Sequence, residues 1–168
     1  CNSSGIFLLP HGPYVLDKDC RFRPDVETNV TEQGACTVKQ LANFAMMLKK
    51  TGRFKDAFIL IHADHGAQFP GVALTPRKRS RPLVLIKPAG VDADIPFRTD
   101  ERPVDLLDIY PTVLDSAGLP APSGLAGQSL LRKPIGSRQR FYHYYLKNPD
   151  PRIIVEGGVG TLAALRPG

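Results

Sequence analysis

The sequence predicts an α/β fold with a mostly parallel sheet flanked by helices, and three features support this prediction. Two continuous apolar runs, Ala57–Ala63 and Arg81–Pro88, have the composition of strands that are covered on both faces. Between Ala35 and Lys50, apolar residues recur at intervals of three and four, as in an amphipathic helix. Strands and helices therefore alternate along the chain, which is the pattern of a layered α/β domain.

The remaining elements of the first half follow from local signals. The short apolar run Gly5–Pro10 predicts a strand that ends just before His11. Gly52 fits the left-handed position that follows the end of a helix. The predicted helix would bury one apolar stripe, formed by Val38, Leu41, Ala45 and Leu48.

The second half contains a further helical stretch and a weaker strand. Within Val104–Leu119, Pro111 is expected to begin a new helix after a short turn, and Gly118 to end it. Leu119–Leu131 is rich in proline and glycine and predicts a surface loop. Arg152–Gly158 predicts an edge strand or a tail.

Length and composition limit the possible classes of protein. The 168 residues are 42% hydrophobic and 23% charged, which is consistent with one globular domain spanning residues 1–168. No apolar run reaches the roughly 20 residues that span a bilayer. The chain begins with Cys1 rather than methionine, and we expect it to be a fragment of a longer protein.

The net charge of +6 comes largely from two basic runs, Pro76–Pro82 and Arg132–Arg140. Such an excess of positive charge can favour binding to nucleic acid, to an anionic membrane surface or to a small anionic substrate. The sequence has no zinc-finger spacing, RNP-like strand or glycine-loop clamp, so we expect no nucleic-acid partner. Basic runs of this length are most often solvated loops.

The three cysteines leave two alternatives open. No Cys-x-x-Cys pair is present, so a thiolate zinc site is not expected. Cys20 and Cys36 would form a disulfide if the protein faces an oxidising compartment. Two unrelated free thiols are an equally good interpretation of the sequence alone.

A polar cluster follows the second predicted strand without a spacer. Asp64 and His65 offer a hard oxygen ligand beside an imidazole, and Gly66 allows the sharp turn that would bring both to one ion. The alternative is a polar turn in which Asp64 caps the next segment. A metal site also needs at least one further ligand. His62, inside the strand, is interpreted as a hydrogen-bonded core histidine.

His11 stands between prolines in "PHGPY". Rigid flanks suit a side chain that donates to a substrate oxyanion, although an exposed histidine in a proline turn explains the pattern equally well. Ligands of open α/β sheets gather beyond the carboxyl ends of the strands. We therefore expect His11, Asp64 and His65 to share one edge of the sheet.

Five segments in order form a wider resemblance. They are "PHGPYVLDKDC", "EQGACTVKQLANFAMMLKKTGRFKDAFILIHADHG", "RPLVLIKPAG", "PVDLLDIYPTVLDSAGLP" and "GLAGQSLL". This series, from Pro10 to Leu131, resembles the carboxyl-terminal half of a sulfatase-like enzyme of the alkaline phosphatase superfamily. Residues 132–168 lie outside the resemblance.

The resemblance implies a metal-dependent hydrolase of sulfate or phosphate esters, with a small anionic ester as substrate. It implies Asp64 and His65 as ligands of a divalent ion such as Ca, Zn or Mn. It implies His11 as the catalytic residue that contacts the substrate anion or leaving group. Lys78, Arg79 and Arg81 become the candidates for neutralising the substrate.

The chain also departs from the family pattern. The family's nucleophile, a formylglycine made from cysteine or a serine or threonine, lies far upstream together with the remaining acidic ligands. Cys1 lacks the arginine that the family motif requires four residues later, where Gly5 stands. We therefore expect a missing amino-terminal half to supply these groups, and the chain alone to be inactive.

The resemblance leaves two other functions open. One is a phosphoglycerol- or phosphoethanolamine-type transferase on the same fold, whose parent protein would be anchored in a membrane. The other is a catalytically inactive fragment that binds polyanions through its basic loops. The localisation is not readable from the sequence, and for the parent protein we expect a periplasmic, otherwise extracytoplasmic or membrane-associated position.

Overall fold

The computed structural model describes residue 5 and residues 9–25, 28–66, 81–133, 140–145, 151–157 and 161–165. The chain divides into two compact units. The first comprises Cys1–Asp56 with Asp92–Asp94, and the second comprises Ala57–Val91 with Ile95–Gly168. The prediction that the chain forms a single domain stays a prediction.

The first unit is built on a long helix, α1, which spans Val30–Lys50. It begins five residues before the predicted start because Asn29 caps it: the Asn29 side chain accepts hydrogen bonds from the backbone N–H groups of Thr31 and Glu32. At the other end, Gly52 has a φ of 69°, so the predicted left-handed residue after the helix is confirmed.

One face of α1 packs against the rest of the first unit. Gln33 and Cys36 are buried on this face, and it continues through partly buried residues, which are Thr37, Leu41, Ala45 and Leu48. Val38 is 66% exposed, so its place in the predicted apolar stripe is wrong. The packed face begins at polar Gln33 and continues through Thr37, the residue before Val38.

The second unit contains the strands β1 (Ile59–His62) and β2 (Val84–Lys87). They pair antiparallel, with Ile59 opposite Lys87 and His62 opposite Val84. This pair therefore does not show the mostly parallel sheet that the sequence predicts. An apolar run specifies an extended segment but not the direction of its partner, and the chain reverses between residues 62 and 84.

A short 3₁₀ helix, Leu106–Asp108, leads directly into α2, which spans Ile109–Ser116. Asp105 starts the 3₁₀ helix with a capping box shared with Asp108, whose Oδ2 accepts from Asp105 N–H at 2.8 Å, and the Asp105 side chain also accepts from Leu107 N–H. Pro111 lies in the first turn of α2, where a missing N–H costs no helical hydrogen bond. Gly118 has a φ of 71° and ends the helix as predicted.

The carboxyl-terminal part forms a three-stranded antiparallel sheet, with β3 (Arg140–Tyr145), β4 (Pro151–Gly157) and β5 (Thr161–Leu165) in that order. A strand at Arg152–Gly158 is thus confirmed as β4, but its predicted position as an edge strand or tail is wrong, because β4 lies between β3 and β5. All strand pairs among the described residues are antiparallel. Of the predicted strand Gly5–Pro10, residues 6–8 lie outside the described residues, and Leu9 and Pro10 form a turn.

Candidate functional site

Residues 11–16, here called the His11 loop, are held on α1 by one buried side chain. Gln33 has no solvent exposure. Its Nε2 donates to the carbonyl oxygen of His11 at 2.7 Å, and its Oε1 accepts from the N–H groups of Val15 at 3.0 Å and Leu16 at 3.2 Å. A single carboxamide therefore satisfies backbone groups at both ends of the loop.

Two further links fix the chain around the His11 loop. The Thr28 hydroxyl donates to the carbonyl oxygen of Tyr14. Cys20 and Cys36 form a disulfide, with their Cα atoms 5.0 Å apart. The disulfide that the sequence left as one of two alternatives is thus present, and it joins the segment after the loop to the helix face that carries Gln33.

The His11 ring is exposed, and its Nδ1 lies within hydrogen-bond distance of the Gly12 carbonyl oxygen. A carbonyl only accepts, so Nδ1 carries a proton in this arrangement. The neutral ring then has its lone pair on Nε2, and the protonated ring has a second N–H there. His11 can therefore donate from Nε2 to an anion only when it is protonated.

Asp64 and His65 follow β1 at the point where its ladder ends. The last ladder bond runs from Ala63 N–H to the Leu83 carbonyl oxygen, at 2.9 Å. Beyond it the Asp64 side chain is 89% exposed and the His65 side chain 39% exposed. Asp64 Oδ2 lies 3.8 Å from His65 Nε2, so the two side chains converge although the residues are adjacent in sequence.

The position of the proton on the His65 ring leaves its other nitrogen able to bind a metal ion. Its Nδ1 lies 2.7 Å from the Gly66 carbonyl oxygen, which assigns the proton to Nδ1 and leaves the lone pair of Nε2 toward Asp64. Two atoms that are each about 2.0–2.5 Å from one ion are at most about 4–5 Å apart. The observed 3.8 Å fits two ligands of the same divalent cation.

The described part of the chain does not complete a metal site by itself. It contains no group of three or more histidine, cysteine, aspartate or glutamate side chains placed to hold one ion. His62 is exposed at the end of β1, with Nδ1 3.2 Å from the Ala63 carbonyl oxygen. The interpretation of His62 as a core residue is wrong, because the strand end is open to solvent.

The other predicted site residues are only partly described. Arg81 is exposed at the start of the segment that leads into β2. Lys78 and Arg79 lie outside the described residues. His11 belongs to the first compact unit and Asp64 with His65 to the second, so their common cleft stays a prediction.

The segment "GLAGQSLL" carries buried polar contacts that the sequence interpretation missed. Residues 127–132, here called the Gly127 loop, are held by Asp108, at the end of the 3₁₀ helix, and by Thr112 on α2, whose exposures are 1% and 0%. Asp108 Oδ1 accepts from Gln128 N–H at 2.7 Å. Thr112 Oγ1 accepts from Leu130 N–H at 2.9 Å. The motif therefore has a structural function within this unit.

The backbone of the Gly127 loop comes unusually close to its neighbour. A Cβ atom at Gly127 would lie 1.9 Å from the Leu107 carbonyl oxygen, so only glycine fits. On the outer side, the Arg102 guanidinium donates to the Leu130 and Arg132 carbonyl oxygens at 3.2 and 3.0 Å.

An ion pair holds the carboxyl-terminal end of the Gly127 loop. Asp115 accepts from Arg132 Nε at 2.9 Å and from the Ser129 hydroxyl at 2.6 Å. The Arg132 guanidinium, followed by the Ser129 hydroxyl, lowers the pKa of Asp115 to about 2. The hydrogen bond to Asp115, together with the negative charge of that carboxylate, raises the pKa of Arg132 above its ordinary value.

Only one of these features left a signal in the sequence. Gln33 interrupts the helical stripe that continues through Leu41, Ala45 and Leu48, and a polar residue on a packed face must find buried partners. The partners themselves, three backbone groups of the His11 loop, could not be read from the sequence. Within the described residues, neither helix is long and apolar enough to cross a membrane.

Several curated proteins are similar to this chain. Arylsulfatase K of Canis lupus familiaris is 31% identical over 125 residues, which are 71% of this chain and 22% of that protein. Arylsulfatase K of Danio rerio is 37% identical over 97 residues, and that of Homo sapiens is 30% identical over 125. The chain matches about a fifth of the length of these curated relatives.

No protein-family model matches the chain. Several relatives that share one name nevertheless match the chain at 30–37% identity over about 55–70% of its length. The chain is therefore a distant relative of the sulfatase family.

Proposed function

We propose that the chain forms the carboxyl-terminal part of a metal-dependent hydrolase that cleaves sulfate esters. The observation that carries the proposal is the pair Asp64 and His65, whose ligand atoms converge to 3.8 Å beyond the end of β1. The relationship to proteins named arylsulfatase supports sulfate as the group that is cleaved. In this proposal the rest of the protein completes a larger, mostly parallel sheet around β1 and β2.

The proposed ligands are an Asp64 carboxylate oxygen and His65 Nε2. A carboxylate and a neutral imidazole suit Ca, Zn or Mn in different degrees, and the pair alone does not select among them. When bound, the divalent ion would neutralise negative charge on the sulfate and on the attacking group. The nucleophile and the remaining acidic ligands would come from outside this chain.

His11 is proposed to act on the ester in its protonated form. Because Nδ1–H is directed at the Gly12 carbonyl oxygen, the second N–H at Nε2 is the one that faces outward. From there it would donate to a sulfate oxygen or transfer its proton to the leaving oxygen. Lys78, Arg79 and Arg81 would add positive charge around the anion.

The disulfide supports a position outside the cytosol for the whole protein. Bonds between cysteines persist in oxidising compartments and are rare where glutathione keeps thiols reduced. We propose that the parent enzyme is secreted, periplasmic or otherwise extracytoplasmic. Oxidation of Cys20 and Cys36 during synthesis would then be part of its folding.

The test uses the full-length protein and its Asp64→Ala and His65→Ala variants, with Asp94→Ala as a matched control on another exposed loop. Metal affinity is measured by competition with a chelator, and turnover with an aryl sulfate and the matching aryl phosphate. Loss of a direct ligand should weaken metal binding by more than the roughly 100-fold that loss of an outer-shell partner causes. Turnover should fall with it.

Two results would contradict the proposal. If both variants bind metal like the wild-type protein, Asp64 and His65 are not the ligands. If the wild-type enzyme prefers the aryl phosphate, sulfate ester hydrolysis is the wrong reaction even when the metal site is correct. The Asp94→Ala control should match the wild-type protein in both measurements.

A further inference from the structure

We propose that Gln33 is a positioning residue for His11: its buried carboxamide sets the geometry of the His11 loop and thereby the place of the His11 ring. The inference rests on the proposed function, because His11 must act on the substrate for its position to matter. Nothing in the sequence pattern assigns Gln33 a role beyond helix packing.

The three hydrogen bonds of Gln33 run in both directions, which only a carboxamide of this length provides here. Nε2 donates to the carbonyl oxygen of His11, while Oε1 accepts from Val15 and Leu16. A carboxylate would keep the two accepting contacts but would turn an oxygen toward the His11 carbonyl. An apolar side chain of the same size would lose all three bonds.

The contact acts at His11 itself. Gln33 holds the carbonyl oxygen of His11, and the His11 ring in turn contacts the next carbonyl oxygen, that of Gly12. Three residues further along α1, buried Cys36 ties the same helix face to Cys20. The loop is therefore fixed to one helix face at its beginning, at its end and just beyond it.

Such fixation matters for catalysis because reacting groups must be placed within fractions of an ångström. A displacement of about 1 Å costs on the order of 100-fold in rate. The His11 ring is exposed and Gln33 is fully buried, so Gln33 does not itself reach a substrate. Its effect on turnover would pass through His11.

The test compares Gln33→Glu with Thr112→Val in the full-length protein. Thr112 is the matched control, since it is equally buried and holds the Gly127 loop on α2, where none of the candidate catalytic residues lies. Turnover of an aryl sulfate is measured per folded molecule. Gln33→Glu should lower kcat/KM by about tenfold or more, mainly through kcat, and Thr112→Val by less than about twofold.

A double-mutant cycle with His11→Ala separates positioning from a purely structural effect. If Gln33 acts through His11, Gln33→Glu should lower kcat/KM about tenfold in the wild-type background and less than about twofold in the His11→Ala background. If Gln33→Glu does not yield folded protein, Gln33→Met, which conserves volume, takes its place in the same cycle.

The outcomes distinguish this inference from the proposed function. Full activity of His11→Ala would overturn the proposed role of His11 and the positioning role with it. An impaired His11→Ala variant together with a fully active Gln33→Glu variant would overturn the positioning role alone. An equal loss in both backgrounds would also overturn it, because Gln33 would then act by another route.

Discussion

The His11 loop and the Gly127 loop are each attached to a helix by buried polar side chains, but by different ones. Each is an irregular segment held on a helix by a polar side chain that has no solvent exposure. Gln33 and Thr112 even occupy the same place, the fourth residue of α1 and of α2. In both cases the helix supplies hydrogen bonds to loop backbone groups that would otherwise be buried without partners.

The two loops differ in the other contacts that hold them and in the side chains that they present. The His11 loop depends on one carboxamide and a disulfide, and it presents an exposed imidazole. The Gly127 loop depends on two aspartates and a close backbone contact at glycine, and it carries no candidate catalytic group. The composition of the Gly127 loop is therefore explained by its contacts within the fold, whereas the His11 loop presents a side chain for which we propose a catalytic role.

The substitution expected to destabilise the Gly127 loop most is Gly127→Ala. The new Cβ would lie 1.9 Å from the Leu107 carbonyl oxygen, which belongs to a capped 3₁₀ helix and has little freedom to move. We expect the free energy of unfolding to fall by about 4 kcal/mol, near the upper end for single substitutions. Denaturant unfolding of the wild-type and variant proteins measures the difference.

Gly34→Ala is the matched control for Gly127→Ala. Gly34 lies inside α1, and no atom stands within 4 Å of the Cβ position. Alanine should therefore stabilise the protein by about 0.5–1 kcal/mol through helix propensity. A loss of stability at Gly34, or none at Gly127, would contradict the packing described for these two glycines.

Removing the disulfide should have the next largest effect. It closes a loop with a sequence separation of 16 between Cys20 and Cys36. In the chain-entropy description, a loop of about this size contributes about 3 kcal/mol. We expect the Cys20→Ala/Cys36→Ala double variant to unfold at correspondingly lower denaturant concentration, and reductant to destabilise only the wild-type protein. Equal sensitivity of both proteins to reductant would be inconsistent with this bond.

Thr112→Val tests the hydrogen bond between the Gly127 loop and α2, in which a buried helix side chain accepts from a loop N–H, as Gln33 does for the His11 loop. Valine has the same shape but leaves the Leu130 N–H without its Oγ1 partner. The expected loss is about 2 kcal/mol, the range for an unsatisfied buried donor. Amide hydrogen exchange of Leu130 should accelerate in the same variant, and unchanged protection there would show that the bond contributes little.

The sequence predicted the elements of the fold better than their pairing. The end of α1 at Gly52 and the end of α2 at Gly118 follow from local rules, because glycine alone enters the left-handed region without strain. The antiparallel pairing of β1 with β2 did not follow, since apolar runs do not encode strand direction. Val38 was misplaced because the packed face of α1 is set by a polar residue.

For the candidate site, the sequence singled out the adjacent pair that we propose as ligands, but not the supports around the site. Asp64 and His65 were recognisable because they interrupt an apolar strand. Gln33 was visible only as a polar interruption of the helical stripe, and its partners were not, since they are backbone groups 17–22 residues away, whose approach depends on tertiary structure. The disulfide stayed one of two alternatives for the same reason: spacing along the chain does not give distance in space.

The smallest expected effect concerns the ion pair that holds the carboxyl-terminal end of the Gly127 loop. The Arg132 guanidinium lowers the pKa of Asp115 from an ordinary 3.8 to about 2. A carboxyl group with a lowered folded-state pKa stabilises the fold above its unfolded-state pKa, and it loses this contribution as the pH falls toward the folded-state value. The contribution of Asp115 should therefore be complete above about pH 5 and be lost progressively between about pH 5 and pH 1.

Asp115→Asn makes this contribution measurable, because asparagine does not titrate. The stability difference between the wild-type and variant proteins should be constant above about pH 5 and shrink as the pH is lowered toward 1, while other carboxylates titrate in both proteins and cancel. Because the Arg132 side chain is 75% exposed, added salt should reduce the difference. In Arg132→Gln, carbon NMR titration should show the Asp115 pKa rising toward its ordinary value, with Ser129 retaining part of the shift. An Asp115 pKa that stays near 2 in that variant would assign the effect to Ser129 instead.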